Sequence, residues 1–144
     1  MSKKSMILVF LQFSSFLYFG RDGKLFATNF LFLFQLMGLA LGIWGIISMK
    51  LGNFNVQPEV KENAQFISIG PYQLIRNPMY TGILIFFGLS LFAKFSFLRL
   101  LVFIVLTVTL LLKINAEEQF LTKRFGDVFR AYKKKTFRLI PFVY

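Results

Sequence analysis

Glu117 and Glu118 stand side by side just beyond a long apolar run, with Lys113 about one helical turn before them. Adjacent carboxylates at such a place repel one another and lose hydration. They are either a solvated pair of charges or groups held for a cationic ligand. In a helix Lys113 and Glu117 share a face. A second polar cluster, residues 50–76, leads into Arg76-Asn77-Pro78. Pro78 suits the first turn of a helix and Asn77 its N-cap, so a plain helix start explains this stretch as well as a binding loop does. The chain contains no Cys and no His. That removes thiolate nucleophiles, disulfides, the commonest metal ligands and the commonest neutral-pH base. No metal site is expected. Any reaction must use carboxylates, Tyr, Lys, Arg, backbone groups or a cofactor.

The elements that position these residues must be membrane helices. The 144 residues leave room for one domain. They are 56% hydrophobic, with 21 Phe and only 16% charged residues, where soluble domains carry about 25%. Mean hydropathy is +0.64. A water-soluble globule of this size cannot hide that much Phe and Leu. The composition excludes a cytosolic enzyme, a disordered tail and a nucleic-acid module. It predicts an all-α integral membrane protein, one domain over 1–144. The net charge of +11 then reads as topology and attraction to anionic headgroups, with membrane lipid rather than nucleic acid as partner.

Four apolar runs predict four transmembrane helices. Residues 6–19 follow Lys3 and Lys4 and resemble a signal peptide. No small-residue cleavage site follows, so an uncleaved first helix is expected. Residues 25–49 carry no charge over a length sufficient to span. Gly38, Gly42 and Gly45 lie near one face of it, where small residues allow close helix contact. Residues 77–93 and 100–112 are the last two runs. As one helix they would extend about 54 Å, against a hydrocarbon core of about 30 Å. A hairpin turning near Lys94–Phe97 is predicted, without a Gly or Pro to mark it. Residues 115–135 repeat Phe120, Leu121, Phe125, Val128, Phe129 and Tyr132 at helical spacing, giving a cytoplasmic amphipathic helix interrupted near Gly126. Its Lys133-Lys134-Lys135 tail suits a membrane surface. The loop over residues 50–76 is punctuated by Gly52, Pro58, Gly70 and Pro71.

Four spans put both termini on one side. Arg21, Lys24, Lys94 and Arg99 fall on the other side, against 13 of the 17 basic residues with the termini. The termini and the loop over residues 50–76 are therefore expected in the cytoplasm. The membrane would be a bacterial inner membrane, or the endoplasmic reticulum in a eukaryote. Five of the six acidic residues, all but Asp22, lie at that same face.

The segment Gly70-Pro71-Tyr72-Gln73-Leu74-Ile75-Arg76-Asn77-Pro78-Met79-Tyr80-Thr81-Gly82 resembles the Gly-x-Tyr-x-x-x-Arg-His-Pro-x-Tyr-x-Gly motif of isoprenylcysteine carboxyl methyltransferases. Glu117-Glu118 followed by Phe125-Gly126, Tyr132 and Pro141 is similar to that family's C-terminal pattern. The two lie in register over residues 57–142, some 60% of the chain. Phospholipid N-methyltransferases share the Arg-x-Pro-x-Tyr and Glu-Glu features. The resemblance implies a membrane-embedded methyltransferase that uses S-adenosylmethionine, bound at the cytoplasmic face under the C-terminal segment. It implies cofactor contacts at Tyr72, Asn77, Pro78, Met79, Tyr80, Thr81 and Glu117, with Glu118 a second carboxylate. Gln57, Ala64, Gln65, Phe66 and Ile67 match the approach segment that lines the cofactor. Lys113 stands where the family presents Arg to the substrate, and Asn77 stands where it has His. Lys lacks the bidentate fork of Arg, so the substrate need not be prenylcysteine itself.

A carboxylate substrate is already ionised at neutral pH and needs no base. Lys113 or Arg76 would hold it, and the absence of His costs nothing. An ammonium substrate must first lose a proton, which would fall to Glu117, Glu118 or Tyr80. O-methylation of a lipophilic, prenylcysteine-like acid is therefore favoured. The same architecture acting as a phospholipid or amine N-methyltransferase is the alternative. A small non-catalytic membrane subunit is the reading from another class. Oligomeric state is not legible.

Overall fold

The computed structural model describes residues 2–50, 53–59 and 61–144; Gly52 lies outside them. The described residues form five α-helices and one short 3₁₀ turn: α1 (Lys3–Arg21), α2 (Leu31–Met49), the turn (Gly70–Gln73), α3 (Pro78–Ala93), α4 (Phe97–Phe125) and α5 (Asp127–Lys135). There is no strand among them, only a single parallel bridge between Ile75 and Phe137. Two helices, Leu31–Met49 and Phe97–Phe125, are long and apolar enough to cross a membrane; Pro78–Ala93 is apolar but shorter.

The helices form two packed pairs, α1 with α4 and α2 with α3, and α3 also contacts α4. The α2–α3 seam is the tighter one, because glycines meet across it. A Cβ on Gly82 would sit 2.5 Å from the Gly38 carbonyl oxygen and 2.8 Å from the Gly42 nitrogen. The glycine face expected on the second helix is thus used, with Gly82 as its partner. The core between the pairs includes Phe19, Tyr80, Phe87, Leu106, Leu110 and Ile114.

Two boundaries differ from the sequence expectation. Helix α2 starts at Leu31 rather than near residue 25. Gln35, fully buried, accepts from the Ala27 amide and donates to the Leu25 carbonyl, so residues 25–27 bond a side chain instead of a helical turn. Asn77 occupies the N-cap position of α3 but makes no side-chain cap. Its Nδ2 donates to the Arg138 carbonyl instead (3.0 Å).

The predicted hairpin turns between Ala93 and Phe97. Ser96 caps α4 through the Arg99 amide (3.2 Å). The Arg99 guanidinium, 2% exposed, donates to the Ser90 carbonyl and hydroxyl and to the Lys24 carbonyl, and pairs with Asp22. A buried charge persists only when so partnered. This arginine therefore does the work that a turn Gly or Pro would otherwise do, and it ties the far ends of α1, α3 and α4.

Candidate active site

At the opposite end the chain closes over itself. After α5 it returns beside the loop that precedes α3: the Arg76 amide donates to the Phe137 carbonyl (2.7 Å) and the Phe137 amide to the Leu74 carbonyl (2.9 Å). Thr81 Oγ1 donates to the Leu139 carbonyl (2.8 Å). The Tyr132 hydroxyl donates to the Tyr72 carbonyl (2.6 Å). Arg76 donates to the carbonyls of Thr136 and Lys133. Phe66 packs against Phe125, Phe129 and Tyr132. The residues of the Gly70–Gly82 motif thus hold the C-terminal segment as a strap. Gly70 permits this through its left-handed backbone (φ +58°); a Cβ there would also strike Ser48.

Beneath the strap lies a cavity of about 830 Å³ including its open mouth. Of the residues expected to meet a cofactor, Gln57, Ala64, Gln65, Phe66, Ile67, Tyr72, Asn77, Met79, Tyr80 and Glu117 line it, as does Arg76. Tyr72 and Asn77 therefore share one chamber with Glu117, although some 40 residues separate them in sequence.

Pro78, Thr81 and Glu118 do not line this chamber. Pro78 is buried and abuts the face of Gly45, while Thr81 holds the strap. Glu118 points to the other side of α4, where it pairs with Arg76 (3.0 Å), Arg138 (3.3 Å) and Lys133 (3.7 Å). Consecutive helical residues diverge by about 100°, so the two acids face different surroundings: Glu118 meets these three cations and Glu117 faces the chamber.

Sequence reasoning missed Asn53, Asn55, Glu59, Phe129 and Tyr132 in the wall. A scarce carboxylate beside Pro58, in a chain with six acidic residues, was the available signal for Glu59.

The chamber's polar groups are unusually placed. The Tyr80 hydroxyl donates to Glu117 Oε1. The Tyr72 hydroxyl and Glu59 Oε2 are buried without a partner among the described residues. Burial pushes the Tyr72 phenol well above its ordinary range and the Tyr132 phenol up to about 12, so both remain neutral donors. Hydrogen bonds from Ser5 and Ser2 hold Glu59 below the usual carboxylate range. In a protein of net charge +11, the chamber has two carboxylates in its wall. Arg76, the one cation among the described residues that line it, is already engaged.

A second cavity of about 1270 Å³, measured to its mouths, lies between the helix pairs. It adjoins the first at Asn55, Met79 and Tyr80, which line both. Its walls are apolar: Phe13 and Phe16 of α1, Leu39 and Ile43 of α2, and Ile83, Phe86 and Phe87 of α3. Phe13, Leu39 and Ile43 are half exposed on the apolar flank, which marks its mouth. Lys113 is the one charged residue lining it. It is 1% exposed, and its ammonium donates to Gln12 Oε1 and to the Val56 carbonyl (2.7 Å). It pairs with no carboxylate among the described residues, so the expected same-face partnership with Glu117 is not an ion pair.

Residues 23–128, about three quarters of the chain, match the phospholipid methyltransferase family. The chain belongs to that family, which includes the isoprenylcysteine carboxyl methyltransferase-like enzymes. No curated protein matches it. Methyltransferases of this family generally use S-adenosylmethionine. The chamber's donor set fits that molecule: Glu59 and Glu117 suit its two cationic centres, Tyr72 offers a free hydroxyl, and Phe66, Tyr80 and Tyr132 offer aromatic faces.

Proposed function

We propose that this protein is an S-adenosylmethionine-dependent methyltransferase that methylates the carboxylate of a lipophilic acid at a membrane face. The observation that carries the reading is Lys113: a buried ammonium in the wall of the apolar cavity, 5.5 Å from the ring centre of the junction residue Tyr80, with no carboxylate partner among the described residues. An ammonium has three donors, and two are used by neutral acceptors. An anionic substrate head supplies the missing counter-charge, and its hydrocarbon tail fills the Phe-lined cavity. Each buried CH₂ contributes about 0.8 kcal/mol, which keeps the substrate in the bilayer while its head reaches the junction.

Bound S-adenosylmethionine supplies the methyl group and its own leaving group. The chain's residues orient and enclose. Glu117 and Glu59 offer negative charge on the chamber wall. Tyr80 holds Glu117 by its hydroxyl and presents its ring at the junction. Lys113 fixes the substrate carboxylate, which is ionised at neutral pH and gives up no proton. The strap and α5 exclude water, whose competition would otherwise waste the donor. Gln57, Ala64, Gln65, Ile67, Asn77 and Met79 complete the donor's walls. Arg76 supports the site by holding the strap.

Specific observations favour a second reading, N-methylation of a phospholipid or amine. The family's description is one, and the Tyr80–Glu117 pair is another, because a carboxylate there suits removal of an ammonium proton. In either case the chain would cross the membrane four times with both termini cytoplasmic, in a bacterial inner membrane or the endoplasmic reticulum. Labelled-methyl transfer from S-adenosylmethionine into a prenylcysteine analogue and into phosphatidylethanolamine decides between the two. Label in the analogue alone is expected; label in the phospholipid alone replaces the first reading with the second. Absence of saturable S-adenosylhomocysteine binding by folded, detergent-solubilised protein would overturn both.

A further inference from the structure

Glu59 belongs to no motif, yet its carboxylate is the most constrained acid of the loop. Its Oε1 accepts from the Ser2 amide (3.0 Å) and from the Ser5 hydroxyl (2.6 Å) at the start of α1. The loop backbone around it is fixed as well, since Asn55 Nδ2 donates to the Glu59 carbonyl (2.8 Å). Glu59 as a residue is only half-buried, but its second oxygen, Oε2, is out of contact with solvent and unpartnered among the described residues. Leaving such an acceptor unmatched is costly. Ser2 and Ser5 already restrain the side chain through one oxygen.

The position of Glu59 limits what the second oxygen can receive. Glu59 lines the donor chamber but not the apolar substrate cavity. The reacting methyl must face the junction at Asn55, Met79 and Tyr80, where the two cavities meet. Glu117, bonded to Tyr80, serves that end. Glu59 borders the donor chamber and, with Ser2 and Ser5, a separate groove, and it is not among the residues that line the junction. The part of the donor that lies away from its sulfonium and carries a positive charge is the α-ammonium of its amino-acid arm.

Resting on the donor reading above, we infer that Glu59 is a binding residue for the α-ammonium of the methyl donor, held ready by Ser2 and Ser5 at the N-terminus of α1. The first helix thereby becomes part of the donor site, although no motif of the site lies in it.

The test is titration of the detergent-solubilised protein with S-adenosylmethionine, S-adenosylhomocysteine and methylthioadenosine, which lacks the amino-acid arm. In Glu59→Gln, the first two should each weaken about 10- to 100-fold, as loss of a hydrogen bond between charged groups does. Methylthioadenosine should bind as it does to wild type. Ser5→Ala removes one restraint without touching the chamber; it should weaken the first two about 2- to 10-fold and again spare methylthioadenosine. Equal losses for all three ligands would make Glu59 a structural residue and overturn the inference. A loss for S-adenosylmethionine but not S-adenosylhomocysteine would assign Glu59 to the sulfonium and overturn it too. Wild-type affinity in Glu59→Gln would sink this inference alone. Failure of wild type to bind any of the three would sink the donor reading with it.

Discussion

Tyr80 and Glu117 are hydrogen-bonded at the junction of the two cavities, the phenol donating to the carboxylate. Tyr80 lines both chambers and Glu117 only the polar one. One buried side chain thus lines the apolar cavity while hydrogen-bonding the acid that lines the polar one. Glu117→Gln keeps the shape and removes the charge. It should weaken S-adenosylmethionine about 10- to 100-fold and leave membrane insertion unchanged; Tyr80→Phe should cost about 2- to 10-fold. Calorimetric titration reads both, and wild-type affinity in Glu117→Gln would remove that residue from the site.

Lys113 is the one charged group among the described residues that line the apolar cavity. Lys113→Met, close in length and without charge, should raise substrate KM or lower kcat by about 100-fold, the range of a lost buried charge pair. Donor affinity should change little. Steady-state kinetics with unchanged KM and kcat would count against a substrate role.

Gly82 is pressed against the backbone of α2. Gly82→Ala would force a Cβ to within 2.5 Å of a carbonyl oxygen that cannot turn aside. Overpacking of this kind costs about 1–3 kcal/mol. Gly20→Ala, with nothing within 4 Å of the added carbon, is the control and should be neutral or slightly stabilising. Thermal denaturation in detergent compares them.

The Tyr132 phenol, raised to about 12 by burial, donates to the Tyr72 carbonyl. A group whose folded-state pKa lies above its unfolded value stabilises the fold below the unfolded pKa and loses that contribution as pH rises through the folded one. Strap stability should therefore decline between about pH 10 and pH 12. Tyr132→Phe should flatten that limb and lower the neutral-pH stability by about 1 kcal/mol. Phenolate absorbance together with the denaturation midpoint measures it.

The chain has no native cysteine, so single introduced cysteines report sidedness cleanly. Lys134→Cys should react with an impermeant maleimide only from the cytoplasmic face, and Lys94→Cys only from the opposite face. The reverse pattern would invert the proposed topology.

Composition and hydropathy were enough to predict a helical membrane protein, because apolar runs of these lengths have few other stable solutions. The motif around Arg76-Asn77-Pro78 and the twin acids were enough to suggest a methyltransferase, a class that the family match supports. What lay beyond the sequence was which polar group faces what. Glu117 and Glu118 are neighbours in the chain, but a helical step of about 100° sends one to the chamber and the other to three cations, Arg76, Lys133 and Arg138. Asn77 and Thr81 sit in the motif yet bond the returning C-terminal backbone, which periodicity does not reveal. Glu59 acquires its place only because the start of α1 packs beside a loop more than 50 residues away. Such long-range pairings depend on how the helices settle against one another, and the glycine contacts fix the close approach of α2 to α3.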